Sequence, residues 1–176
     1  DMANVCLFGK TVRSARDLSG LIYLDNNATT QMDPQVLAAM LPYLKEQYAN
    51  AGSITHEFGR GIAEDVGGAI RSIARCFQAA EDEIVITSGA TEAANLAIFG
   101  LCQHARMKRR KIVAVKTEHR AVLDPIGRLE QDGFEIAWLP IQQQGSPYAG
   151  RVDLSAAQNL IDDKTALVCT MLVNNE

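Results

Sequence analysis

Short apolar runs alternate with amphipathic segments along the second half of the chain, and this alternation constrains the fold more than any other feature. The apolar runs have the length of strands, and the segments between them place apolar residues at helical spacing. We predict strands at 83–87, 111–115, 134–139 and 166–172, separated by helices at 91–103, 121–131 and 154–161. Because strands and helices alternate through short links, we expect an α/β fold with a mainly parallel sheet and helices on both faces.

The first part of the chain gives fewer signals. Residues 1–20 show no clear periodicity, and we interpret them as an extension of unassigned structure that precedes a main region at 21–176. Within that region, an apolar run ending in a polar cluster predicts a strand at 21–24. Amphipathic spacing predicts two helices, at 34–48 and 60–77.

Composition narrows the class of protein. Of 176 residues, 47% are hydrophobic and 22% are charged, which is enough apolar material for a core. The net charge of −4 offers no basic face, so we expect no nucleic-acid partner. No apolar run approaches the roughly 20 residues that cross a bilayer, and no export signal is legible, so we expect no membrane association. The four cysteines lie far apart without a CxxC pair, which predicts reduced thiols in a cytoplasmic protein and no metal site.

Polar residues follow three of the predicted strands, where parallel sheets bind their ligands. Residues 88–92 (Ser-Gly-Ala-Thr-Glu) open a helix, so their amides and the hydroxyls of Ser88 and Thr91 could hold a phosphate; a plain Ser/Thr cap is an equal alternative. His119 follows the next strand and could move protons or lie against an aromatic ligand, although structural roles are commoner. Residues 174–176 (Asn-Asn-Glu) follow the last strand. We expect the three strand ends to converge on one site.

Other polar residues are weaker candidates. His56 and the pair Thr29 and Thr30 could as easily cap a helix or hold a turn, and His104 is interpreted as a surface residue. The basic cluster at 106–111 lies between a predicted helix and a strand. A solvated helix end that complements the helix dipole explains it better than a docking patch does.

Five motifs occur in a fixed order along the chain. They are 23–30 (Tyr-Leu-Asp-Asn-Asn-Ala-Thr-Thr), 50–53 with His56, 87–95 (Thr-Ser-Gly-Ala-Thr-Glu-Ala-Ala-Asn), 117–119 with 122–124, and 173–176 (Val-Asn-Asn-Glu). Together they resemble the cysteine desulfurases, which are pyridoxal-phosphate enzymes of the class V aminotransferase group. The resemblance runs from about Ile22 to Glu176, which is nearly the whole chain.

The resemblance implies a fold type I enzyme, with a large domain around a mainly parallel sheet, a smaller second domain and a homodimeric assembly. Such enzymes take sulfur from L-cysteine, leave L-alanine, and pass the sulfur through an enzyme persulfide to an acceptor protein, as in iron-sulfur cluster assembly. Carried over by position, Ala90 and Thr91 would bind the phosphate of pyridoxal phosphate. His119 would stack on the ring and move protons, and Asn175 would bond near the ring hydroxyl.

The sequence also departs from the family pattern. No lysine here occupies the position of the lysine that binds the cofactor covalently, and none of the four cysteines matches the persulfide cysteine. The aspartate that pairs with the ring nitrogen is also missing. Leu172 stands where many members have histidine, and Ala51 replaces a frequent proline. The chain therefore resembles about the first half of an enzyme and is expected to be inactive alone.

Two other functions stay open at this point. Another class V enzyme, such as a selenocysteine lyase or a transaminase, would share the cofactor contacts. A module without catalysis, serving dimerisation or regulation of a full-length enzyme, would keep the fold and lose the chemistry. The residues that would separate these alternatives belong to the part of the family pattern that the sequence does not contain.

Overall fold

The computed structural model describes residues 6–7, 10–11, 20–104 and 106–174. The chain divides into two compact units, one within residues 1–31 and the other within 32–174. In the first unit, β1 (Cys6–Leu7) pairs with β2 (Lys10–Thr11) in antiparallel fashion. No helix among the described residues is long and apolar enough to cross a membrane.

The second unit contains the alternation that the sequence predicted. Its elements are α1 (Pro34–Lys45), α2 (Glu57–Phe77), a 3-10 turn (Glu81–Glu83), α3 (Ala90–Cys102), β3 (Lys111–Val115), α4 (Arg120–Gln131), β4 (Glu135–Leu139), α5 (Leu154–Leu160) and β5 (Thr165–Cys169). The α/β class is confirmed.

The sheet of the second unit is parallel, with the strand order β4, β3, β5. In the shared register, Ala114 of β3 lies between Trp138 of β4 and Cys169 of β5. All five residues of β3 are buried, because this strand has a neighbour on each side and helices over both faces. The carboxyl ends of the three strands therefore meet at one edge.

The two faces of β3 carry separate apolar clusters. Ile112 and Ala114 pack with residues of α3 and α4, including Ile98, Ile126 and Leu129. The intervening residues Val113 and Val115 face the other way and pack with Leu139, Ala157 and Leu160, so α5 covers the second face. Strand alternation thus divides the core into two layers, as expected for a sheet with helices on both sides.

Two predicted strands are wrong. Residues 84–87 form no strand: Ile84 has extended backbone (φ −96°, ψ 120°), but the run pairs with no described strand, and Val85 and Ile86 are 66% and 65% exposed. Residues 21–24 are likewise unpaired and lead into a turn. Composition indicates which residues favour a strand, but a strand also needs a hydrogen-bonded neighbour.

The first two helices of the second unit begin at side-chain caps. Asp33 accepts a hydrogen bond from the amide of Gln35 (2.7 Å), so α1 begins at Pro34 as predicted, although it ends earlier, at Lys45. Helix α2 begins at Glu57, before the predicted start, because the ring of His56 accepts a hydrogen bond from the amide of Gly59.

The basic cluster does not have the role expected from the sequence. Helix α3 ends at Cys102 without a basic residue in its last turn, so the cluster does not complement its dipole. Lys111 is instead buried at the start of β3 and pairs with Asp162 at 3.0 Å; its hydrogen bond is the main cause that lowers the pKa of that carboxyl. Arg109 donates to the carbonyl of Thr165 (3.3 Å). These cations hold together the amino ends of the strands.

Candidate functional site

An open pocket of about 440 Å³ lies between α3 and the amino-terminal part of α4. It is lined by Thr91, Asn95 and Phe99 of α3 and by His119, Arg120, Ala121, Asp124 and Pro125 at the start of α4. Thr91 and His119 are 28 positions apart in the sequence, and the structure brings both to this pocket. Since α4 follows β3 directly, the pocket lies at the carboxyl edge of the sheet.

The first turn of α3 has free hydrogen-bond donors. Its cap, Gly89, makes no side-chain capping bond, which excludes the plain Ser/Thr cap that the sequence left open. The first amides of a helix have no partner within the helix, and the helix dipole favours an anion there. A side-chain carbon at Gly89 would meet no atom within 4 Å, so the space before the helix is open. The turn can receive an anionic group at the amides of Ala90 and Thr91.

Ser88 does not point outward as the sequence suggested. Its hydroxyl and its amide both donate to the same carboxylate oxygen of Glu92, each at 2.6 Å. The bond from the hydroxyl has the larger effect and the bond from the amide the smaller, and both lower the pKa of Glu92. The carboxylate is therefore held ionised against Ser88. The hydroxyl and the amide of Ser88 are therefore both occupied by Glu92, and Ala90 and Thr91 remain as hydrogen-bond donors for a ligand.

His119 is the cap of α4. Its Nδ1 accepts a hydrogen bond from the amide of Ala121 at 3.0 Å, and its side chain is exposed. A ring nitrogen that accepts carries no proton, so this bond assigns the proton of the neutral ring to Nε2. The helix cap thus fixes one nitrogen and leaves Nε2 for a ligand in the pocket.

The ends of β3 and β5 are tied together beyond the last paired residues of the strands. The side-chain amide of Asn174 donates to the carbonyl of Thr117 at 2.7 Å and to its hydroxyl at 3.3 Å. The carboxylate of Glu118 accepts from the amide of Met171 at 2.6 Å. The second and third predicted strand ends therefore meet here and border a second depression of about 500 Å³, whereas the first meets the second at the pocket between α3 and α4.

The remaining candidates have local roles or lie elsewhere. His56 caps α2, as its alternative interpretation proposed, and Thr30 donates to the side chain of Asn26 within the first unit. His104 is exposed and accepts from the amide of Arg106, as expected of a surface residue. Asn175 lies outside the described residues, so its role stays a prediction.

No role was predicted for Glu118 from the sequence, although this residue lies directly before the candidate His119. A carboxylate placed just before a candidate histidine is a signal, but its partner Met171 is 53 positions away. Glu118 also affects the pKa of the Cys169 thiol. Burial raises the pKa of that thiol to about 11, and the nearby charge of Glu118 adds to the effect. Cys169 therefore stays a neutral thiol, a poor nucleophile.

The described residues contain no group of three or more His, Cys, Asp or Glu side chains that could hold a metal ion. The ligand chemistry of this edge comes instead from helix amides, one hydroxyl and one imidazole. Fold and pocket together define an α/β domain with helix amides that have no partner within their helix and an exposed imidazole at one edge.

The sequence matches the family described as aminotransferase class-V over residues 22–176. The chain belongs to this family. That finding confirms the resemblance drawn from the five motifs, which begins at the same place in the sequence.

Similarity to curated relatives and to solved structures supports the same family. The chain is 43% identical over 155 residues to cysteine desulfurase IscS of Rickettsia felis, covering 88% of this chain and 37% of the relative. It is similar to the structure of a NifS-like protein (TM-score 0.73, 32% identity), covering 86% of this chain and 40% of the other. It is also similar to DndA from Streptomyces lividans (TM-score 0.70, 36% identity), covering 88% and 42%. The chain thus spans less than half the length of these proteins.

Proposed function

We propose that this chain forms the amino-terminal, cofactor-binding part of a pyridoxal-phosphate-dependent cysteine desulfurase acting on L-cysteine. One observation carries the proposal: Thr91 in the first turn of α3 and His119 at the cap of α4 line the same pocket at the carboxyl edge of the sheet. An anion site and an imidazole side by side suit a ligand with a phosphate and a flat aromatic ring.

The residues present fit that cofactor. The open space before Gly89 leaves room for a phosphate against the amides of Ala90 and Thr91. The one carboxylate in this turn, Glu92, is held by Ser88, which limits its repulsion of a bound anion. On the other side of the pocket, His119 presents an exposed ring whose orientation is fixed by the bond to Ala121.

Each residue then has a distinct task. When bound, pyridoxal phosphate supplies an electron sink for the substrate. Ala90 and Thr91 bind and orient its phosphate through the helix amides and the threonine hydroxyl. His119 lies against the ring and holds or moves a proton at Nε2 while Nδ1 stays bonded to Ala121. Asn175 bonds near the ring hydroxyl, as the resemblance implies.

Further parts of the proposal rest on the family alone. A complete enzyme needs the covalently binding lysine and the persulfide cysteine, and no residue of this sequence fills either position. We place the complete enzyme in the cytoplasm as a homodimer that passes sulfur to an acceptor protein, as in iron-sulfur cluster assembly. The high sequence identity to proteins named cysteine desulfurase supports this choice over a transaminase.

The test is the product formed by a full-length protein that carries this sequence. Given L-cysteine and a thiol reductant, it is expected to release alanine and sulfide in equal amounts. If it instead converts an amino acid to its 2-oxo acid and transfers the amino group, the chain belongs to a transaminase. Preference for selenocysteine by orders of magnitude would also contradict the proposal.

A further inference from the structure

We propose that Glu118 is a positioning residue: its carboxylate holds the segment after β5 against the end of β3, and this contact keeps His119 in place at the pocket. The contact itself is a property of this chain. Only its effect on turnover rests on the proposed function.

The first argument is the burial of Glu118. The residue is 6% exposed, and among the described residues it forms no ion pair with a lysine, arginine or histidine. A buried carboxylate without a cation costs free energy, so a hydrophobic residue would serve stability better at this position. The hydrogen bond that it accepts from the amide of Met171, at 2.6 Å, is therefore the interaction that explains its presence.

The second argument is where that bond lies. The paired register of β3 and β5 ends at Ala114 and Cys169, so no ladder bond fixes the residues beyond. Glu118 reaches from the β3 side to a backbone amide of the β5 side, and Asn174 reaches back from the β5 side to Thr117. These reciprocal bonds, which we call the 117–174 clasp, continue the connection past the sheet.

The third argument is the position of His119. It follows Glu118 directly, and its ring is already fixed within α4 by Ala121. What remains to be fixed is the start of α4 relative to the segment after β5, which leads to the predicted ligand Asn175. The clasp spans that distance. Displacement of a reacting group by about 1 Å can cost on the order of 100-fold in rate.

The test compares three substitutions in the full-length protein. Glu118→Gln keeps an oxygen at the position that accepts from Met171. Glu118→Asp keeps the charge but is one carbon too short to reach, and Glu118→Ala removes both. Glu130→Ala is the matched control, since it removes an exposed glutamate of α4 whose side chain makes no hydrogen bond or ion pair with the described residues.

The first readout is hydrogen exchange at the amide of Met171, which does not depend on any activity. We expect faster exchange in the Ala and Asp variants and near wild-type protection in the Gln variant. Equal protection in all variants would overturn the proposal, because the bond would then not hold this segment. Should the Ala variant fail to fold, the Asp and Gln variants still decide the outcome.

The second readout is kcat per molecule of bound cofactor, for alanine release from L-cysteine. We expect a loss of roughly 10- to 100-fold in the Ala and Asp variants, with KM little changed, and rescue in the Gln variant. If the Asp variant is folded and loaded with cofactor but its kcat is unchanged, the proposal that Glu118 positions His119 is overturned. If the wild-type protein itself releases no alanine, the proposed function fails, and the exchange experiment still tests the contact.

Discussion

Thr91 and His119 line one pocket but would meet different parts of a ligand, so their substitution should separate two effects. In a full-length enzyme, His119→Ala is expected to lower turnover by roughly 100- to 10,000-fold while cofactor stays bound, because it removes an acid/base group. Thr91→Ala should weaken cofactor retention first, because it removes a phosphate contact at the start of α3.

Cofactor absorbance, measured beside alanine release, distinguishes the two variants. Asn159→Ala, an exposed change on α5, is the control and should alter neither quantity. Full turnover in His119→Ala together with loss of the cofactor would show that the two roles are reversed.

The bond between Ser88 and Glu92 predicts a pH-dependent stability. Because the pKa of Glu92 is lowered by folding, its contribution is complete above the unfolded value of about 4.5 and is lost as the pH falls through the folded value. Glu92→Gln should therefore be less stable than the wild type at pH 7, and this deficit should shrink as the pH falls below about 4.5. Urea unfolding of the full-length protein at pH 7 and at pH 3 measures this difference.

Glu130→Gln is the comparison for that experiment, since the carboxylate of Glu130 makes no hydrogen bond with the described residues. The difference in stability between Glu130→Gln and the wild type should not change in this way as the pH falls. If the deficit of Glu92→Gln is as large at pH 3 as at pH 7, the ionised bond to Ser88 does not contribute to stability.

At the residue scale, local patterns predicted the positions of candidate ligands but not their partners. His119 follows the end of β3 and Thr91 lies in the first turn of α3, and both placements are readable from neighbouring residues. The commitment of Ser88 to Glu92 was not predicted, because several partners are available to a hydroxyl at a helix start. The bond from Glu118 to Met171 depends on the pairing of β3 with β5, which the sequence of either strand does not specify.

Two glycines of α2 differ in their surroundings, and this difference can be measured. A side-chain carbon at Gly59 would lie 1.9 Å from the carbonyl oxygen of Ser53, whereas one at Gly61 would meet nothing within 4 Å. Gly59→Ala should thus displace the preceding loop and destabilise the chain. Gly61→Ala should stabilise it by roughly 0.5–1 kcal/mol, because alanine favours a helix.

Urea unfolding of the full-length protein, followed by circular dichroism, compares the free energies of unfolding of the two variants. Each variant serves as the control for the other. Equal effects of the two substitutions would contradict the close approach between Gly59 and Ser53. A stabilised Gly59→Ala variant would do so most directly.

At the element scale, helices were predicted better than strands. Helix boundaries depend on caps and on spacing within a few residues, and α3, α4 and α5 begin and end within a few residues of their predicted limits. The run at 84–87 has strand composition, but no described strand lies beside it. The order β4, β3, β5 also follows from pairing between distant segments, which local sequence does not encode.

At the scale of the whole molecule, many apolar side chains face solvent. Helix α1 buries none of its residues, and the exposed apolar residues include Val36, Leu44, Phe58, Phe77, Val85, Ile86 and Leu172. Exposed apolar surface of this extent favours association. We expect the 176-residue chain alone to be poorly stable or to self-associate, as seen by light scattering and sedimentation. A monodisperse monomer with a cooperative thermal transition would contradict this.

The isolated chain should also form no specific covalent complex with pyridoxal phosphate, because the lysine position of the family is not among its residues. Incubation followed by borohydride reduction and peptide mapping is expected to give only scattered, substoichiometric labelling of lysines. A stoichiometric adduct on one lysine, absent when that lysine is replaced by arginine, would contradict the expectation. Free lysine in excess serves as the reference for nonspecific reaction.

The central position of β3 has a consequence for the order in which the sheet assembles. Its partner residues are 24 positions away in β4 (Ile112 to Ile136) and 55 positions away in β5 (Ile112 to Leu167). Closing the longer loop costs about 0.7 kcal/mol more in chain entropy, so the pairing of β3 with β4 is favoured first. The two bonds of the 117–174 clasp both involve the segment after β5. The clasp is therefore formed after most of the core, when the last strand joins.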